Sequence, residues 1–175
     1  MDDLVAFCSR DYFVFLVVLV VSRGMDFLST WVATPNLALE ANPLARRLGW
    51  GWGAAVNLVL CIAFALSPLP AIVVATTSVL VAARNFQSAW LMRVLGEEAY
   101  RGWMSEQVGQ TPIGLYLFCL FSQGILVASV GAVLMLFSDS EEVSFAVGMG
   151  IITYAVAVVF YTLLARRRIR RKFQQ

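Results

Sequence analysis

Residues 113–137 read IGLYLFCLFSQGILVASVGAVLMLF, without one Asp, Glu, Lys or Arg. A helix rises about 1.5 Å per residue, so about 20 apolar residues cross a hydrocarbon core about 30 Å thick. Four more stretches have the same character: Tyr12 to Ala33, Trp52 to Leu66, Leu69 to Met92 and Val143 to Ala165. The pattern predicts an all-α, polytopic transmembrane helical bundle of five spans, forming a single membrane domain over 1–175. The second stretch is the shortest and gains length only by borrowing Trp50 and Gly51. Composition agrees with this reading. The chain is 60% hydrophobic and 14% charged, with a mean hydropathy of +0.78. So few charges cannot cover a water-soluble domain of this size, whereas lipid solvates apolar side chains on the outside of a bundle.

The stretches are joined unequally. Ser67-Pro68-Leu69-Pro70 marks a tight interfacial turn, because two close prolines interrupt a helix; a single long buried hairpin is the alternative. Thr34 to Gly51 and Arg93 to Pro112 are long connections. Arg93 to Gln110 mixes Glu97, Glu98, Arg101, Trp103 and Glu106, which suits either a short amphipathic surface helix or a solvated loop. Tyr12, Trp50, Trp52, Trp90, Tyr100 and Trp103 fall near span boundaries, as interfacial aromatics do.

Orientation follows from Lys and Arg. The tail over 166–175 begins Arg166-Arg167-Arg168-Ile169-Arg170-Arg171-Lys172, and such a run stays on the cytoplasmic side. Five spans then put the N-terminus outside. Both long connections fall inside with Arg46, Arg47, Arg93 and Arg101. The outside receives only Arg10, together with Asp2, Asp3, Asp11, Asp139, Glu141 and Glu142. The expected location is therefore the cytoplasmic (inner) cell membrane. The acidic start Met1-Asp2-Asp3-Leu4 lacks the positive region of a secretory signal, so the first stretch reads as an uncleaved span.

Several function classes are disfavoured. A net charge of +2 offers no nucleic-acid surface. The sequence has no histidine and no C-x-x-C pair, so no metal site and no cofactor is expected. Cys61 and Cys119, inside apolar runs, read as buried small hydrophobes. Phosphate-binding glycine loops, G-x-S-x-G and H-E-x-x-H are absent. Gly124, Ala128, Ser144 and Gly148 recur at four-residue spacing, which suits close helix packing.

Polar residues within the spans are costly and mark candidate functional positions. They are Arg23, Asp26 and Thr30 in the first span, Asn57 in the second, Arg84, Asn85 and Gln87 in the third, and Gln123 in the fourth. Counted from the cytoplasmic ends, Asp26 and Arg84 lie roughly 12–14 Å deep, Asn57 roughly 9 Å and Gln123 roughly 16 Å. Four spans thus place polar side chains in one layer. Asp26 and Arg84 are the expected ion pair, with Arg23 competing for the same carboxylate. Two arginines against one aspartate leave a surplus positive charge, which Glu40 meets if its connection folds back.

The most distinctive segment runs Asp26-Phe27-Leu28-Ser29-Thr30, then Glu40-Ala41-Asn42-Pro43-Leu44. Asp26 and Thr30 share a helix face. Glu40 and Asn42 either cap helix ends or reach into the polar layer as a re-entrant segment. The D-x-x-x-T … E-x-N-P-L pattern over Asp26 to Leu44 resembles small, uncharacterised prokaryotic multi-pass membrane-protein families. The resemblance implies a helical bundle and no assigned activity. Lipoprotein signal peptidases also carry a first-span aspartate, but they need a second one in an N-x-x-D-type motif that this chain lacks.

Three functions are compatible with these residues. The leading one is a buried polar centre that binds or translocates a small polar or lipid-linked anion. The second is a membrane enzyme acting on a lipid or lipid-linked substrate, with Asp26 or Glu40 as acid or base. The third is an assembly subunit that meets a membrane-protein partner. The expected partners are the bilayer and a lipid head group or small anion.

Overall fold

The computed structural model describes residues 4–40, 42–139 and 143–172, with side chains described as far as Arg167 in the last segment. The described residues form six helices and no strand: α1 (Arg10–Ala33), α2 (Pro43–Phe64), α3 (Pro68–Leu95), α4 (Glu97–Gln110), α5 (Ile113–Leu136) and α6 (Val143–Lys172). All except α4 are long and apolar enough to cross a membrane. The five apolar stretches of the sequence fall one to a helix.

Two boundaries differ from expectation, each for a local reason. Residues 43–48, expected in a connection, are the first part of α2. Asn42 caps this helix, its side chain accepting from the Leu44 N–H at 3.0 Å, and Pro43 occupies the first turn. That is the favoured start of a helix, since proline has no N–H to leave unpaired. Gly49 then breaks the helix direction at φ 66° and ψ −173°, a left-handed conformation that glycine adopts without a Cβ clash. At the other end of the chain α6 runs through 166–172, where a tail was expected, because arginine and lysine are good helix formers. Finally, 97–110 is a helix, which decides between surface helix and loop.

Pro68 and Pro70 behave as the turn reading requires. Ala65 to Ser67 make the turn, and α3 starts at Pro68. The N-terminal segment is tied to this turn by the Val5 N–H, which donates to Leu66 O at 2.8 Å. Tyr12, Leu19, Cys61, Ala65, Ala71 and Ala75 are buried beneath it as an apolar core. Cys61 is buried as expected, but Cys119 is exposed, on the outer face of α5.

The helices meet along seams of small residues. On α1, Leu19, Ser22, Ser29 and Ala33 are buried. On α3, Ala71, Ala75, Ser78, Ala82 and Ala89 are buried. These three- and four-residue steps bring two helix backbones close together. A second seam joins α5 to α6. A Cβ placed on Gly131 would stand 2.6 Å from Gly148 O, and one on Gly148 would stand 2.6 Å from Gly131 O. One on Gly124 would meet Val159 Cγ2 at 2.8 Å. A third contact joins α3 to α6, where the Thr77 hydroxyl donates to Gly150 O at 3.0 Å. α5 is thus attached to the bundle through α6, and α1 through α3.

Candidate functional site

One polar residue from each of the first three helices, Asp26, Asn57 and Ser78, meets Arg23. Its Nε donates to Asn57 Oδ1 at 2.7 Å, and its Nη2 donates to the same oxygen. Its Nη1 donates to Asp26 Oδ2 at 2.9 Å and to Ser78 Oγ at 3.2 Å. One guanidinium therefore joins α1, α2 and α3, a role that suits the five donors and planar fork of arginine. Its acceptors are held in turn. Asn57 Nδ2 donates to Gly53 O at 2.8 Å, and Ser78 Oγ donates to Val74 O at 2.7 Å. About two turns further along the seam, Asn85 Nδ2 donates to Ser29 Oγ and Thr30 Oγ1, both at 3.3 Å.

The expected Asp26–Arg84 ion pair does not form. Arg23 takes Asp26 instead, and this is the ion pair found among the described residues. The reason is rotational. Arg23 and Asp26 are three residues apart on one helix and lie on the same side of it. Arg84 is one position, about 100°, away from Asn85, which faces α1. Arg84 thus keeps its charge apart from Asp26, and its Nη1 is buried with no hydrogen-bond partner among the described residues. The surplus positive charge expected at the Asp26 centre lies instead at Arg84.

Glu40 does return toward the bundle, and its carboxylate acts electrostatically on Asp26. It also accepts from the Asn42 N–H at 2.7 Å. Asn42 is committed to capping α2 and does not enter the polar layer. Gln87 and Gln123 do not join it either. Both are exposed: Gln87 is two residues past Asn85 and so points away from α1, and Gln123 sits on α5, which reaches the bundle through α6.

The connection carrying Glu40 is positioned by α4. The Glu97 carboxylate accepts from the Asn36 N–H at 2.8 Å and from the Ala38 N–H at 3.1 Å. Arg101 Nη2 donates to Ala38 O, and Trp50 Nε1 donates to Pro35 O at 2.9 Å. Tyr100, on the inner side of α4, is buried, and that burial pushes its phenol above the usual value. Replacing Glu97 with alanine strips two backbone N–H groups of a charged acceptor, at a cost of about 1–3 kcal/mol. Limited proteolysis should then cut residues 34–40 about tenfold faster, with global unfolding little changed. Unchanged cleavage would show that Glu97 does not hold the connection.

A cavity of ≈ 620 Å³ opens at the corner between this connection and the α3–α4 junction, lined by Ala33, Pro35, Asn36, Met92, Arg93 and Glu97 among others. Neither Asp26 nor Glu40 lines it, so the two carboxylates do not converge on this cleft. No group of three or more Cys, Asp or Glu side chains suited to a metal ion occurs among the described residues.

Three residues outside the expected set belong with these positions. Ser78 completes the Arg23 hub. Tyr116 and Arg166 stack on one another, the Arg166 Cζ lying 4.2 Å from the Tyr116 ring centroid. Ser78 was legible as one step of the small-residue seam on α3. Arg166 was hidden within a run of basic residues that a charge count treats alike. No family model matches the chain, and neither a curated protein nor a solved structure shows significant similarity to it.

Proposed function

We propose that this protein crosses the cytoplasmic membrane five times, N-terminus outside and C-terminus inside, and binds or passes a small polar or lipid-linked anion at Arg84. The five apolar helices and the sorting of Lys and Arg to one side support the topology. The observation that carries the anion reading is the buried, unpartnered Nη1 of Arg84. A cation held inside an apolar bundle without a carboxylate is costly. An anionic ligand removes that cost, and the Asp26 carboxylate is already paired with Arg23. The enzyme reading has less support, because Asn42 caps a helix and Asp26 serves the Arg23 hub.

The test is ligand-dependent thermal unfolding of the purified protein in a neutral detergent. Phosphate, sulfate, short-chain carboxylates and anionic lipid are titrated at fixed ionic strength. The wild type should gain several degrees with at least one of them, because a ligand that binds only the folded state stabilises it. Arg84→Gln should show no such gain. Equal gains in both proteins, or none in the wild type, would remove the reading.

A further inference from the structure

Arg166 stands where α6 leaves its apolar stretch, directly after Ala165 and before Arg167. Its surroundings are unlike those of its neighbour. Arg166 is only 9% exposed, whereas Arg167 is exposed. The Arg166 guanidinium carbon sits over the Tyr116 ring of α5. Stacking of this kind satisfies the face of the cation and leaves its N–H edge free. That edge is buried: Nε and Nη1 of Arg166 have no hydrogen-bond partner among the described residues, and the same holds for Nη1 of Arg84 on α3. α6, which carries Arg166, packs against both α3 and α5, and both arginines act electrostatically on the Tyr116 hydroxyl. Among the described residues neither arginine is ion-paired.

Two guanidiniums from different helices, each with buried donors unspent, match a ligand that carries several acceptor oxygens and negative charge. A tetrahedral phosphate group fits this best, because the arginine fork pairs with two of its oxygens at once. The level within the bundle also fits. Tyr116 is four residues past Pro112 and Arg166 one residue past the end of an apolar stretch, so both lie at a bundle end where lipid phosphates are found; Arg84, nine residues before Arg93, is set deeper on α3.

We propose that Arg166, Tyr116 and Arg84 form a phosphate-binding site between α3, α5 and α6, which takes the phosphate group of an anionic lipid or a free phosphate ion. This rests on the reading of Arg84 as the anion-binding cation. It adds Arg166 as the second donor, Tyr116 as the residue that orients it, and phosphate as the ligand class.

The experiment uses the full chain with two probes. Inorganic phosphate is titrated against delipidated protein in neutral detergent, and retention of phosphatidylglycerol over phosphatidylcholine is measured by native mass spectrometry from mixed micelles. Saturation by phosphate alone assigns a free ion, and selective retention of phosphatidylglycerol assigns a lipid; either supports the site. Arg166→Gln and Arg84→Gln should each weaken binding by about tenfold or more, as loss of a charge-assisted contact does. Arg167→Gln, which removes an exposed charge from the same helix, should stay within about twofold of wild type. Arg166→Lys keeps the charge but not the stacked fork, and should also lose about tenfold; it carries the comparison if the glutamine variant does not fold. Wild-type binding in Arg166→Gln with binding lost in Arg84→Gln overturns this site and leaves the proposed function standing. Wild-type binding in both variants overturns both. An equal loss in Arg167→Gln overturns the site in favour of diffuse attraction by the basic run, and so does a wild type that binds neither probe.

Discussion

Arg23→Met should destabilise the protein by about 3 kcal/mol or more, because it breaks a partly buried ion pair and removes the donor to two further acceptors. The guanidinium makes contacts to Asn57, Asp26 and Ser78 on three helices. Methionine replaces the stem and none of the donors. Part of the loss comes from Asp26, which is left without its guanidinium partner among apolar side chains. Asp26→Asn should cost less, since Arg23 then keeps Asn57 and Ser78. Arg23→Lys should fall between wild type and methionine, because one ammonium cannot serve acceptors spread over three helices. Unfolding by heat or by denaturing detergent, followed by circular dichroism, ranks the series. A methionine variant as stable as wild type would mean that the hub does not hold α2 to the bundle.

The second large effect is expected where α5 meets α6. Gly131→Val and Gly148→Val each place a Cβ 2.6 Å from a backbone oxygen of the opposing helix. A backbone atom cannot swing aside as a side-chain tip can, so the helices must separate. Overpacking usually costs about 1–3 kcal/mol, and more where backbone must move; these variants belong at the upper end, about 3 kcal/mol each. The loss should fall on α5, which reaches the bundle through α6. Gly124→Ala should be milder, since Val159 Cγ2 can rotate away. Gly114→Ala, with nothing within 4 Å of the new methyl, should be neutral. Thermal unfolding ranks the four variants, and cysteine cross-linking across the seam localises the damage. Equal stability of Gly131→Val and Gly114→Ala would contradict the close approach.

The contrast between these two centres shows what the sequence makes legible. Hydropathy alone locates the five long helices, because burial in lipid demands unbroken apolar runs and nothing else in the chain provides them. It misses residues 43–48, since a short polar helix leaves no hydropathy signal; there the evidence is chemical, an asparagine cap, a proline behind it and a glycine at the bend. Depth counted along each span puts Asp26, Asn57, Arg84 and Gln123 toward one level, and the structure joins only the first two, through Arg23. Depth is only one of two coordinates on a helix. The other is rotation, and it separates Arg84 from Asp26, Gln87 from Asn85, and Gln123 from every other polar residue. The small-residue register contains that rotation. Ala71, Ala75, Ser78, Ala82, Asn85 and Ala89 follow three- and four-residue steps, which put Asn85 in the seam and Arg84 beside it. The burial of Arg166 has no such signal, because it depends on Tyr116, which is 50 residues away in the chain.

Arg23 and Arg84 therefore divide two roles that a charge count assigns to either: one ties the helices together, and the other is left to meet an anion. Thermal unfolding of Arg84→Met beside Arg23→Met, each without added anion and after delipidation, tests this most directly. Replacing Arg84 with an apolar side chain of similar length removes the desolvation cost of its buried Nη1 and no hydrogen bond at that atom. The account predicts that Arg84→Met unfolds at the same temperature as wild type or higher, while losing all stabilisation by added anion, and that Arg23→Met unfolds well below both. An Arg84→Met protein destabilised as much as Arg23→Met would make Arg84 a structural tie, and would contradict its role as the anion-binding residue.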